Sequence, residues 1–256
     1  MSKIEKKYRT AINDLIIHLK NSKFLTDDNV ESALRNIPRH EFVPESELDY
    51  AYNNEPLQIM KNQTISQPGV VTRMTEWLDV RDGQKILEIG TGSGWQSAIL
   101  AYLVGKGDVY SVERHPELVK FAQENLKKLN IDNVHVILGD GSVGYTDKSP
   151  YDRIIITAAC SEIPLPLFDQ LKENGLIIAP VGDSSQSLIL LQKTPKGIVE
   201  IKNQPKYVFV PLHGKFGKNN CFCITIKRIL LRHNLLLILY LLTHLHLLHS
   251  LVILLL

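Results

Sequence analysis

The chain has 256 residues, 44% of them hydrophobic and 22% charged, with 15 Gly and 12 Pro, which excludes a disordered, collagen-like or coiled-coil chain and leaves one large domain or two small ones. Its formal net charge is +2, and the surplus lies in residues 218–256, where Lys218, Lys227, Arg228 and Arg232 stand without an acid; the near-neutral remainder lacks the basic footprint of a nucleic-acid binder. Three Cys cannot build a disulfide framework, so a reducing, cytoplasmic setting is expected.

The opening residues MSKIEKKYRT are basic but run into no long apolar stretch, so no secretory signal is expected. Residues 1 to about 80 read as a helical and loop segment. Leu15, Ile16 and Leu19 share one helix face, as do Val30, Ala33, Leu34 and Ile37, with Thr26 and Asp27 as candidate caps before the second helix. Pro38, Pro44, Pro56 and Pro68 then predict loops and short turns.

From Lys85 the texture changes to short apolar runs alternating with helical segments. Strands are predicted at 85–89, 107–113, 134–138, 151–157, 175–180 and 188–192, with helices from the Gly-rich turn through Leu103 and over 116–129. This alternation predicts a doubly wound α/β fold, its mostly parallel sheet covered on both faces, over residues 81–217. Leu235–Leu256 holds 13 Leu, interrupted by Thr243, His244, His246, His249 and Ser250. Its length would span a bilayer, but three His would lie in hydrocarbon. Residues 218–256 are therefore read as an extension outside the fold, with a membrane anchor as the alternative.

The strongest local signal is Ile86-Leu87-Glu88-Ile89-Gly90-Thr91-Gly92-Ser93-Gly94-Trp95, a strand running into Gly-x-Gly-x-Gly and then a helix. Such a turn lets a ligand touch backbone at a helix N-terminus. Glu113 closes the second strand, where an acid takes a ribose diol, and Asp140 follows the third, where it could meet an adenine amino group. The structural alternatives are a cap for Glu113 and a turn with Gly141 for Asp140. A dinucleotide fingerprint needs Gly at position 95, and Trp95 stands there, so S-adenosylmethionine is the expected cofactor.

These segments resemble the protein-L-isoaspartate O-methyltransferases over residues 10–217. The resemblance rests on Asn62-Gln63-Thr64-Ile65-Ser66-Gln67-Pro68, on the Gly-rich turn, and on Arg39-His40-Glu41-Phe42-Val43-Pro44-Glu45. Residues 52–59, the run Tyr151-Asp152-Arg153-Ile154-Ile155-Ile156-Thr157-Ala158-Ala159, Pro180-Val181-Gly182 and Phe209-Val210-Pro211-Leu212 complete it. It implies a Rossmann-like methyltransferase whose N-terminal segment contributes to the substrate pocket. It carries cofactor contacts to Glu88, Gly90, Gly92, Gly94, Glu113, Asp140 and Gly141. It gives Ser66 the catalytic role and places Thr64, Ile65, Pro68 and Val210 at the substrate.

The implied acceptor is the α-carboxylate of an L-isoaspartyl residue in a damaged protein. A carboxylate is ionised at pH 7, so orientation and exclusion of water matter more than a general base. The product ester would close to a succinimide and open partly to a normal linkage. No metal is expected: Cys221-x-Cys223 with His233 matches no zinc spacing. Cys160 lacks a preceding Pro, His40 reads as a satisfied or surface residue, and Asp169 and Glu173 read as a solvated helix face. A monomer without nucleic-acid partners is expected. The alternatives are another acceptor, RNA or a small molecule, and a silent cofactor-binding protein. Thr157-Ala158-Ala159, in place of Asn/Asp-Pro-Pro-aromatic, disfavours an amino-methylating nucleic-acid enzyme.

Overall fold

A computed structural model describes residues 3–217; the expected tail at 218–256, with Cys221, Cys223 and His233, lies outside the described residues. The N-terminal part forms helices α1 (Lys3–Asn21) and α2 (Asp28–Asn36). Asp27 caps α2 by accepting from the Asn29 and Val30 amides, whereas Thr26 binds Glu76. The predicted faces are buried: Leu15, Ile16 and Leu19 on α1, Val30, Ala33 and Leu34 on α2.

Two 3-10 turns, Arg39–Phe42 and Glu45–Tyr50, lead to a small antiparallel pair, β1 (Leu57–Gln58) and β2 (Thr64–Ile65). Helix α3 (Pro68–Leu78) follows directly. Pro68 therefore starts a helix rather than marking a turn: at the first helical position its fixed φ suits the helix and its missing N–H costs nothing.

The core is a seven-stranded sheet built from β3 (Lys85–Ile89), β4 (Asp108–Glu113), β5 (Val134–Leu138), β6 (Tyr151–Ile156), β7 (Leu171–Val181), β8 (Gln186–Thr194) and β9 (Gly197–Tyr207). Helices α4 (Trp95–Val104), α5 (Pro116–Lys128) and α6 (Leu165–Asp169) connect its parallel part. The spatial order is β5-β4-β3-β6-β7-β8-β9; β3 to β7 pair in parallel, and β8 and β9 extend the sheet antiparallel. Strand β9 had no counterpart among the predicted strands. Glu173 sits in β7 and not on a helix, although it and Asp169 are both exposed as expected.

Successive residues of a strand face opposite sides of a sheet, and here both sides are covered. Ile155 and Ile178 pack on one side with Val70, Met74 and Leu78 of α3; Ile154, Ile156 and Ile177 pack on the other with Leu167 of α6 and Leu212. Ile154, Ile155 and Ile156 are each 0% exposed, which explains a continuous apolar run. Each contributes on the order of 2 kcal/mol by leaving water. Helices α1 and α2 join a third cluster through Trp95, Ile99, Leu118 and Leu126 of α4 and α5. Among the described residues no helix is long and apolar enough to cross a membrane.

Candidate active site

Strand order reverses between β3 and β6, and open α/β sheets bind ligands in the crevice beyond the strand ends at such a point. A cleft opens there. The turn at Gly90–Thr91–Gly92–Ser93, the end of β4 at Val112 and Glu113, and Gly141 form one side. Gln63, Thr64, Ile65 and Ser66 form another, and residues 210–213 a third.

The turn needs its glycines. Gly90 has φ +97°, and a Cβ there would collide with the Thr157 hydroxyl. That hydroxyl is fixed at the end of β6, donating to the carbonyls of Ile89 (2.9 Å) and Gly90 (2.7 Å). Gly94, at φ +88°, starts α4 and would bring a Cβ within 3.3 Å of Ala122, so its smallness sets how closely α4 and α5 approach.

Glu113 is 6% exposed and lines the cleft. Its Oε2 accepts from the Gly92 amide at 3.1 Å, and its Oε1 accepts from the amides of Arg114 (2.8 Å) and His115 (3.0 Å). The acid thus fixes the turn and the start of the next loop while Oε2 keeps an acceptor site.

Glu88 is not on the cleft wall. It is buried beneath the turn, where it accepts from the hydroxyls of Ser97 and Ser111; the Ser111 hydroxyl also meets Thr91 Oγ1 at 2.6 Å. Burial pushes its pKa up to about 7, and its Oε1 has no hydrogen-bond partner among the described residues. Its contribution to the site is the shape of the turn, through Ser111 and Thr91.

Asp140 also stands off the wall. Its Oδ1 accepts from the Ser142 amide (2.9 Å) and hydroxyl (2.7 Å), and its Oδ2 from the Lys215 amide (2.7 Å). The carboxylate expected at an adenine amino group caps the 3-10 turn Gly141–Val143 and anchors the C-terminal segment, and the following residue, Gly141, lines the cleft. Neither Gly94 nor Pro68 lines the cleft; Pro68 is the first residue of α3.

Thr64, Ile65, Ser66 and Val210 are all on the wall. The Ser66 hydroxyl has no hydrogen-bond partner among the described residues and is available as a donor. Val210 is held by backbone pairing across Ala159, whose amide donates to the Val210 carbonyl at 2.7 Å and whose carbonyl accepts from Leu212 at 2.7 Å.

Several wall residues carried no recognisable signal in the sequence: Met74, Gln96, Arg114, His115 and His213. The pKa of His213 is held below its usual value, first by burial and then by the charges of Arg114 and His115. His40 is a satisfied residue, stacked on Tyr8 at 3.8 Å with its Nδ1 2.7 Å from the Tyr52 hydroxyl. Cys160 is buried beside the Pro180 carbonyl; burial pushes its thiol up to about 12, so it is no nucleophile at neutral pH.

Known proteins share this arrangement. A family model described as protein-L-isoaspartate(D-aspartate) O-methyltransferase matches residues 10–217. The protein-L-isoaspartate O-methyltransferase of Pyrococcus horikoshii is 49% identical over 201 residues, covering 78% of this chain and 91% of that protein. Protein-L-isoaspartate O-methyltransferase 2 of Archaeoglobus fulgidus is 51% identical over 189 residues, 73% of this chain and 86% of its own. A solved protein-L-isoaspartate O-methyltransferase superposes with a TM-score of 0.74 at 32% identity, over 80% of this chain and 67% of that one. A Plasmodium falciparum chain described as a protein-L-isoaspartate O-methyltransferase, in complex with S-adenosyl-L-homocysteine, gives 0.70 at 26% identity, over 78% of this chain and 97% of its own. With its sheet order, its glycine turn and the match from residue 10 to residue 217, the chain belongs to the protein-L-isoaspartate (D-aspartate) O-methyltransferase family.

Proposed function

We propose that this chain transfers a methyl group from S-adenosylmethionine to the free α-carboxylate of L-isoaspartyl residues in damaged proteins, the first step of their repair. One observation carries the reading: the glycine turn with Glu113 and the segment bearing Ser66 line the same cleft.

The residues present suit the cofactor. The backbone at Gly90–Gly92 can approach a ligand closely, Glu113 faces the cleft at the end of β4 as an acceptor for ribose hydroxyls, and Ile89 and Val112 offer apolar wall. When bound, S-adenosylmethionine supplies an electrophilic methyl group on a positively charged sulfur. The chain's own task is to present a carboxylate oxygen to that methyl in line and without its water.

Ser66 performs the presentation in this reading. Its hydroxyl donates to one carboxylate oxygen and leaves the other free to form the new bond. Ile65, Val210 and Leu212 supply apolar wall that keeps water from the reacting oxygen. No base is needed, because the acceptor is already an anion at neutral pH; the chemistry reduces to orientation and near-attack distance.

The sequence-based expectations of a monomer in the cytoplasm, with damaged proteins as partners and no nucleic acid, belong to this proposal. The deciding experiment compares two peptides differing only in an isoaspartyl or a normal aspartyl linkage. Methylation of the first and not the second is expected; equal rates on both would refute the assignment.

A further inference from the structure

Behind the cleft lies a charged residue that does not itself line it. Arg39 is 1% exposed. Its Nη1 donates to the Ala51 carbonyl (2.7 Å), and its Nη2 to the carbonyls of Glu55 (3.1 Å) and Ser66 (3.0 Å), with the Ile65 carbonyl at 3.5 Å. Its Nε has no hydrogen-bond partner, and no carboxylate lies within ion-pair distance of it, among the described residues. Its guanidinium also sits 5.2 Å from the centre of the Trp95 ring, which donates to the Ile37 carbonyl at 3.2 Å and lines the cleft. Arg39 therefore holds two walls of the cleft from behind: the Ser66 segment and the first residue of α4.

Two physical consequences follow. The Ser66–Gln67 peptide is trans, so holding its carbonyl on Arg39 fixes the plane of the peptide and with it the position of the Ser66 side chain. In addition, a buried guanidinium with no carboxylate within ion-pair distance is costly; the charge of Glu55 offsets it only from farther off, and the remaining positive charge favours an anion brought close to it. An isoaspartyl carboxylate held by Ser66 is such an anion. Lysine, with a single compact ammonium, cannot span the same set of carbonyls.

We infer that Arg39 is a positioning residue that sets the Ser66 segment and draws the anionic acceptor to it, without contributing to cofactor binding. The inference rests on the reading of Ser66 given above. It makes Arg39 a determinant of acceptor affinity, although it touches neither reactant.

The test uses the full chain with Arg39→Met and Arg39→Lys. Three quantities are measured: the dissociation constant for S-adenosylhomocysteine by calorimetry, kcat and KM for an isoaspartyl peptide, and the thermal midpoint. S-adenosylhomocysteine affinity is expected within about twofold of the parent in both variants. KM for the peptide is expected to rise at least about tenfold in Arg39→Met, the scale of a lost charge-assisted hydrogen bond, with partial recovery in Arg39→Lys. Should Arg39→Met not fold, as judged by the loss of its thermal unfolding transition, Arg39→Lys alone decides by the same comparison. Peptide KM within twofold of the parent in a variant that binds S-adenosylhomocysteine normally overturns the inference. So does a defect confined to S-adenosylhomocysteine binding. A parent chain unable to methylate the isoaspartyl peptide is a separate failure, that of the proposed function, and is seen before any variant is made.

Discussion

Glu113 Oε2 accepts a hydrogen bond from the Gly92 amide at 3.1 Å, so the acid that closes β4 is fastened to the tip of the glycine turn. A side chain that both shapes the turn and lines the cleft proposed for the cofactor should be sensitive to loss of charge. Glu113→Gln is expected to weaken S-adenosylhomocysteine binding about tenfold to a hundredfold, the range for a hydrogen bond to a charged group. Calorimetric titration reads this directly, and an unchanged constant would remove Glu113 from the cofactor site.

Ser66→Ala removes the hydroxyl proposed to orient the acceptor and little else, since that hydroxyl has no partner among the described residues. The expected outcome is a fall of about tenfold to a hundredfold in kcat/KM for the isoaspartyl peptide. S-adenosylhomocysteine affinity and thermal midpoint should stay near the parent values. Full activity in this variant would mean that the carboxylate is oriented by another group.

Glu88 gives a pH signature. Its folded pKa, about 7, lies above the ordinary value of 4.5 because burial disfavours its charged form. The folded state therefore holds its proton more tightly than the unfolded state. The contribution is full below about pH 4.5 and is lost as pH rises through 7, amounting to about 3 kcal/mol over that window. Glu88→Gln has no proton to lose, so denaturant unfolding at pH 5 and pH 8 should show the variant gaining on the parent at the higher pH. Parallel stabilities at both values would contradict this.

Gly90→Ala puts a Cβ against the Thr157 hydroxyl at a backbone φ of +97°. Both effects act on the folded state, and a loss of about 1–3 kcal/mol is expected. Thr157→Ala in the same background should recover the steric part, and a double-mutant cycle in denaturant would show a coupling between the two sites.

A chain ending after Gly217 retains every described element and the whole of the family match. It is expected to bind S-adenosylhomocysteine and methylate the isoaspartyl peptide as the full chain does. Loss of activity on truncation would give residues 218–256 a part in catalysis.

Much of the fold was legible because burial on both sheet faces leaves an unmistakable mark. The triple Ile at 154–156 has no polar position to interrupt it, and β6 was placed to within a residue. Strand β9 left no such mark. Glu200, Lys202, Asn203, Gln204 and Lys206 dominate an edge strand that is exposed almost throughout, so no alternation signals its pairing with β8. Helix α3 was hidden by Pro68, a residue as common at a helix start as at a turn.

At the site, local motifs located the turn, Glu113 and Ser66, which all line the cleft. Sequence could not tell which carboxylates face it. Glu88 lies one residue before Ile89, and alternation along β3 turns its side chain inward to Ser97 and Ser111. Asp140 was equally readable as turn or ligand; its bonds to Ser142 and Lys215 form the turn, and Oδ2 keeps acceptor capacity beside it. Arg39 was invisible as a positioning residue: its acceptors at 51, 55 and 66 become neighbours only through tertiary folding.

The cleft takes walls from residues 63–66 and from residues 210–213, far apart along the described chain. During synthesis a ribosome must deliver about 150 further residues after the first wall before the second exists. A prematurely terminated or clipped product thus lacks a complete binding surface and gains none of the stabilisation that a tight ligand confers on a finished chain. A ligand that needs both walls would therefore distinguish whole molecules from fragments.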